Sequence, residues 1–144
     1  MHAGLGTFAP VKTKRVENHK MHAEWWEVSP KAAEELNAAR RDGRRIVAVG
    51  TTSVRVLETL SSGAKEFQPA RGWTDIFIHP PATFRATDAL ITNFHLPKST
   101  LLMLVAAFCS PGDTAGIAII LNAYAEAVRR KYRFYSYGDA MLIE

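Results

Sequence analysis

Apolar and polar positions along the chain switch between a period of two and a period near 3.6, and the switches mark its elements. His22, Glu24, Trp26 and Val28 alternate with their neighbours and share one face of a strand. Ser29-Pro30 follows as N-cap and first helical residue, with Glu34 and Glu35 early, Leu36 and Ala39 facing inward, and Gly43 as the stop after Arg40 and Arg41. This predicts a helix near 30–42. Arg45 to Val49 reads as a buried strand, and Gly50-Thr51-Thr52-Ser53 as the turn into a helix near 52–62. Ser61 to Thr74 is loop-like, and Asp75 to His79 is a short strand ended by Pro80-Pro81. Asp88 to Phe94 is the next strand. It leads to Pro97, to Ser99 or Thr100 as N-cap, and to a helix near 99–109. That helix carries no charge from Leu101 to Cys109, so it is expected to be buried on nearly every side. Ser110 to Thr114 breaks and recaps the chain. A helix near 114–131 follows, with Ile117, Ile120, Leu121, Tyr124 and Val128 on its buried stripe. Ser136 to Asp139 is a turn into a final strand.

These elements predict a single α/β domain over residues 1–144, a mixed sheet with helices packed on it and ligand loops at its strand ends. A hydrophobic share of 47% and a charged share of 22% are ordinary for a soluble protein, so composition alone excludes little. The net charge of +4 admits a nucleic-acid partner without requiring one. Cys109 is the one cysteine and has no partner for an intramolecular disulfide. No signal peptide opens the chain, and no apolar run approaches the roughly 20 residues that span a bilayer. A cytoplasmic protein without membrane contact is the expectation.

Candidate chemistry gathers at four places. The turn after the strand ending at Phe94 presents Asn93 and His95 just before a buried helix N-terminus, an arrangement that builds ligand sites in α/β proteins. His95 either caps that turn or transfers protons there. Gly50, Thr51, Thr52 and Ser53 form a possible cradle for a phosphate or carboxylate, although they lack the lysine of a P-loop and the glycine pattern of a dinucleotide fold. Arg55 and Glu58, three apart on the following helix, can pair or face the site. His19, His22 and Glu24 form H-x-x-H-x-E. As metal ligands they suggest a hydrolase, but on a strand the two histidines point to opposite faces, which favours proton transfer or substrate contact over a metal. His2, Gly4, Gly6 and Thr7 look like a loop that approaches a ligand closely. In the tail, Y-R-F-Y-S-Y-G-D contains Tyr137 and Asp139 and reads equally as base-stacking aromatics or as a packed strand with its turn. Arg40, Arg41, Arg44 and Arg45 make a basic patch around Gly43, which reads as a solvated helix end.

Five stretches taken together carry a resemblance. H-A-G-L-G-T-F, H-K-M-H-A-E, V-G-T-T-S-V-R-V-L-E, T-N-F-H-L-P-K-S-T-L-L-M-L-V-A-A-F and Y-R-F-Y-S-Y-G-D-A-M-L-I occur in that order. The chain thereby resembles the carboxy-terminal portion of the S-adenosylmethionine:tRNA ribosyltransferase-isomerases of queuosine biosynthesis. The resemblance implies part of a larger two-domain enzyme, whose amino-terminal portion with its β-barrel domain is absent here. It implies transfer and isomerisation of the ribosyl moiety of S-adenosylmethionine onto 7-aminomethyl-7-deazaguanine in tRNA, giving epoxyqueuosine, adenine and methionine. S-adenosylmethionine is then a consumed substrate, and no cofactor or metal is expected. Set against that reaction, His19, His22, Glu24 and His95 are the candidates for proton transfer. His2, Gly4, Gly6, Thr7, Thr51, Thr52, Ser53, Arg55, Asn93, Tyr137 and Asp139 are the candidates for substrate contact. The resemblance itself assigns none of these roles. Pro80-Pro81-Ala82 departs from the Pro-Gly-aromatic that relatives often carry, which stiffens that loop. The alternatives are an inactive or binding-only fragment with nucleotide or tRNA affinity, and a metal hydrolase using His19, His22 and Glu24.

Overall fold

The computed structural model describes residue 16 and residues 19–63 and 65–144. The glycine-rich stretch with His2, Gly4, Gly6 and Thr7 lies outside the described residues. Among the described residues the elements in order are β1 (Glu24–Val28), α1 (Pro30–Arg41), β2 (Val47–Val49), α2 (Thr51–Ser61), β3 (Ala70–Thr74), β4 (Ala89–Asn93), α3 (Thr100–Cys109), α4 (Gly116–Arg129) and β5 (Ala140–Ile143). The expected mixed sheet is present, with β2 parallel and β5 antiparallel to a central β4. A separate ribbon pairs β1 with β3 antiparallel.

Local signals place the helix ends as the sequence predicts. The Ser29 side chain accepts from the Ala32 N–H, and Ser99 accepts from Leu102, so each hydroxyl satisfies one of the N–H groups that a helix start leaves without a partner. Gly43 has a φ of 66° and ends α1 in the left-handed region. The uncharged α3 is largely enclosed. Leu101, Leu104, Val105, Ala106, Ala107 and Phe108 are buried, whereas Leu102, Met103 and Cys109 are half-buried.

Two strand expectations are corrected. Asp75 to His79 is not a strand, and the strand of this region is β3, inside the stretch read as loop. The reason is pairing. Trp25 stands opposite Trp73 and Trp26 opposite Gly72, so the two strands match residue for residue. On α4, Ile120 and Tyr124 are buried as expected, but Ile117, Leu121 and Val128 are exposed. Only one side of α4 meets α3, so its apolar stripe is wider than the contact.

The mixed sheet is covered on one face. Ala48 and Leu90 point into the main core with Val54, Leu104, Val105 and Phe94. On the other face Val49, Ile91 and Leu142 stand abreast in register and are exposed. The segment 45–49 expected as a buried strand is therefore buried only at Ile46 and Ala48, with Val47 and Val49 exposed, although parallel strands are ordinarily covered on both sides.

The α3–α4 contact depends on Gly116. A Cβ placed there would sit 1.9 Å from the Ala106 carbonyl oxygen, a backbone atom with little freedom to move. Gly116→Ala is expected to destabilise the chain by about 1–3 kcal/mol through overpacking, despite alanine's better helix propensity. Urea denaturation reads this directly; an unchanged midpoint would mean that the two helices separate without penalty.

Candidate functional site

Two parallel strands each feed a helix, and the clearest cavity lies where they do so. β2 ends at Val49, and Gly50 turns the chain into α2 with a φ of 87° while its N–H donates to the Ile91 carbonyl on β4 at 2.8 Å. β4 ends at Asn93, and residues 94–99 lead into α3. The cavity between these turns is about 200 Å³, with Gly50, Thr51, Thr52, Asn93 and His95 in its wall. The N-termini of α2 and α3 both open there. Among the described residues no side chain caps α2, and although the Ser53 N–H donates to the Gly50 carbonyl at 3.1 Å, the N–H groups of Thr51 and Thr52 face the helix start where an anion or carboxylate is favoured.

His95 is fixed from two sides. Its backbone N–H donates to the Tyr124 hydroxyl at 2.7 Å, and its Nε2 lies 2.8 Å from the Thr92 hydroxyl. Thr92 and Tyr124 are themselves buried. Burial raises the Tyr124 hydroxyl's pKa, so it stays a neutral acceptor near pH 7. Burial also pushes His95 down to about 4, because the imidazolium loses its hydration there. The ring in the cavity is therefore neutral imidazole, able to accept a proton or donate a hydrogen bond but not a resident cation.

The tail supplies the opposite wall. Tyr135 and Ser136 line the cavity, and the Tyr135 N–H donates to the Phe94 carbonyl at 2.9 Å. Tyr135 has a φ of 67° and Lys98, in the turn before α3, has 58°. Both are left-handed conformations that side chains rarely adopt and that gather at functional sites. The two readings of the aromatic tail divide by residue. Phe134 packs on Phe94 and Tyr124, Tyr135 faces the cavity, and Tyr137 is exposed. Asp139 does not line the cavity. It accepts from the Arg133 backbone N–H and guanidinium, which hold its carboxyl below the usual carboxylate range and staple the loop bearing Tyr135.

The remaining candidates lie elsewhere. Ser53 donates to the Val49 carbonyl at 2.7 Å and is not in the cavity wall. Arg55 and Glu58 do not pair with each other. Glu58 accepts from the N–H groups of Arg85 and Ala86, and Arg55 forms a buried ion pair with Glu24 at 2.6 Å. Arg55 also donates to the carbonyls of His22, Thr74 and Ile76, tying α2 to the β1–β3 ribbon. His22 is exposed, and the His19 ring lies 5.3 Å from that of Phe77. None of His19, His22, Glu24 and Arg55 lines the His95 cavity. Among the described residues no three of His, Cys, Asp and Glu come together as a possible metal cluster.

Sequence reasoning missed Thr92, Ser99, Tyr124, Tyr135 and Ser136. Thr92 had a local signal, since it lies three residues before His95 at the end of the same strand. The Tyr124 hydroxyl had none, because its partner lies 29 residues away.

A family model described as "Queuosine biosynthesis protein" matches residues 1–143. The S-adenosylmethionine:tRNA ribosyltransferase-isomerase of Symbiobacterium thermophilum is 57% identical over 99% of this chain and 40% of its own length. The protein of the same name from Moorella thermoacetica is 58% identical over the same shares. A crystal structure of the S-adenosylmethionine tRNA ribosyltransferase of Thermotoga maritima superimposes with a TM-score of 0.74 at 52% identity, covering 83% of this chain and 40% of that one. The chain thus spans about 40% of the length of the curated relatives it matches.

Proposed function

The chain belongs to the queuosine biosynthesis protein family, and on that premise we propose that it forms the donor-binding part of an S-adenosylmethionine:tRNA ribosyltransferase-isomerase. The observation that carries this reading is the cavity at the ends of β2 and β4, where two helix N-termini and a neutral His95 meet. The methionine carboxylate of the donor suits the uncapped start of α2, with the Thr51 and Thr52 hydroxyls beside it. Asn93, Ser136 and Ser99 offer hydrogen bonds to ribose or adenine, and Tyr135 and Phe94 offer aromatic walls.

The reaction transfers the ribosyl moiety of S-adenosylmethionine to the aminomethyl group of a 7-deazaguanine already in tRNA. It then rearranges the sugar to an epoxycyclopentane with loss of adenine and methionine. A base must take the acidified proton beside the sulfonium, and departing adenine needs a proton or a hydrogen bond. Neutral imidazole suits either task, and a sulfonium next to it disfavours an imidazolium further. The sulfonium itself supplies the electrophile and the leaving group, so no metal or resident cofactor enters the scheme. The place of action is the cytoplasm, where tRNA is modified; among the described residues no helix is long and apolar enough to cross a membrane.

Part of the site comes from elsewhere in the longer protein. A cavity of about 200 Å³ holds only a portion of such a donor, against roughly 300 Å³ and above for ordinary small-molecule sites. The uncovered sheet face at Val49, Ile91 and Leu142 fits the same view. We expect this chain alone to release adenine from S-adenosylmethionine, with modified tRNA present, at least about a hundredfold more slowly than a full-length protein carrying it, because misplacement near 1 Å already has that effect. Turnover equal to the full-length protein's would refute the partial-site reading. A folded full-length protein that releases no adenine would refute the function.

A further inference from the structure

Folding changes the meaning of the basic residues around Gly43. Arg40, near the end of α1, and Arg85, in the segment leading to β4, are shared by two adjoining clefts. One is completed by Lys65 with Ser61 and Gly63 and has a volume of about 460 Å³. The other is completed by Arg44 and Arg45 beside Gly43 and has a volume of about 260 Å³. Lys65 and Arg85 come from 25 and 45 residues beyond Arg40, so the sequence patch shows less than the full charge of this face.

Arg40 is held in place. Its guanidinium donates to the Arg85 carbonyl at 2.9 Å and the Lys65 carbonyl at 3.5 Å, and it lies 4.1 Å from the Phe67 ring centroid. The acidic residues nearby are largely engaged. Asp42 takes Arg44 and Glu144 takes Arg45. Asp88 accepts the Ile46 N–H, and Glu58 is turned inward onto backbone N–H groups. Among the described residues Arg40, Arg41, Lys65 and Arg85 have no carboxylate in ion-pair contact. Arg40, Lys65 and Arg85 line the wider cleft without counter-charges, whereas in the second Arg44 and Arg45 are paired and the Asp88 carboxylate is present; three such cations along one concave surface fit a polyanion that runs through it. A single small anion would need only one focus of charge, and a lipid surface a flat one.

The clefts also have a defined relation to the cavity. Arg45 lies two residues before β2 and Asp88 directly before β4, whereas His95 lies past the other ends of these strands. At about 3.3 Å per residue, the five residues of β4 separate the two places by roughly 16 Å.

We propose that the Arg40–Lys65–Arg85 face binds the phosphodiester backbone of a folded RNA whose target base reaches the His95 cavity. This rests on the tRNA reading above and adds the surface that grips the nucleic acid. The contacts are to phosphate, so they position the RNA without reading its sequence.

The test is fluorescence polarisation with a labelled RNA stem–loop bearing ordinary guanine, titrated at several salt concentrations. The chain is compared with the double variant Lys65→Ala/Arg85→Ala and with Lys31→Ala, an exposed lysine at the far end of α1. Both cleft side chains are exposed, and circular dichroism checks that the double variant folds. Expected is a loss of about tenfold or more in affinity for the double variant and a drop of one to two units in the log–log salt slope, with Lys31→Ala within about twofold. Three results would overturn the proposal: no RNA binding by the unaltered chain, equal losses in both variants, or tighter binding of phosphatidylserine vesicles through the same residues. Calorimetry with S-adenosylmethionine separates the two readings. Donor binding with RNA affinity indifferent to the cleft removes only the cleft. Cleft-dependent RNA binding without donor binding removes only the proposed function.

Discussion

Arg55→Ala is expected to lower folding stability by about 3–5 kcal/mol, because it removes the cation that faces Glu24 in a buried site. Both side chains are within a few per cent of full burial. The guanidinium also serves the carbonyls of Ile76 at 3.1 Å and Thr74 at 3.2 Å, which would lose a donor without gaining water. Burial lowers the Arg55 pKa, and the neighbouring charges of Glu24 and Asp75 oppose that, so the group remains a cation. Arg55→Met should also destabilise, since Glu24 stays in place. The double change Arg55→Met/Glu24→Leu should recover much of the loss, because a well-packed apolar pair removes both desolvation penalties. Urea denaturation of the chain and the three variants measures this. If Arg55→Ala instead left the midpoint unchanged and abolished donor binding, Arg55 would be a substrate contact and the ion pair incidental.

His95→Ala in a full-length protein carrying this chain should lower turnover by at least about a hundredfold. The ring is a proton acceptor in the cavity wall, and the neutral state set by burial determines when it works. Its folded pKa of about 4 lies below the ordinary 6.5, so the unfolded chain takes up this proton first as pH falls. The stability linked to His95 is fully present above about pH 6.5 and declines below that. By about pH 4 it is lost, for a total of at most about 3 kcal/mol. The variant should show a flatter acid limb of stability over that window. The activity of the parent should likewise persist on the acid side until imidazole protonates near 4 rather than near 6.5. Adenine release and a melting curve, taken together for each variant, distinguish the roles. Full activity in His95→Ala would dismiss the site. A fall in melting temperature that accounts for the activity loss would make the Thr92–His95 and Tyr124–His95 bonds structural.

The sequence alone determined what is settled within a few residues. Ser29-Pro30 begins α1 and Gly43 ends it because a cap acts on N–H groups two or three positions away and a left-handed stop acts on its own turn. The uncharged run of α3 predicts burial, and the strand–turn–helix units at Gly50 and Asn93 predict a ligand cavity, which places Thr51, Thr52, Asn93 and His95 together. Glu24 was legible as sharing a strand face with Trp26 from their alternation. Its meaning was not, because Arg55 stands 31 residues away and no local pattern links a carboxylate to a cation across that distance. The strand at 70–74 escaped for the same reason: a short segment becomes β3 only when β1 supplies its hydrogen bonds. The α4 stripe was read at full width, whereas α3 covers only the side at Ile120 and Tyr124. Tertiary structure decided which hydroxyls hold His95, which acid neutralises Arg55 and where Lys65 and Arg85 join Arg40. Each of these is a pairing of buried or clustered polar groups, and its free energy depends on a partner brought close only by the folded chain.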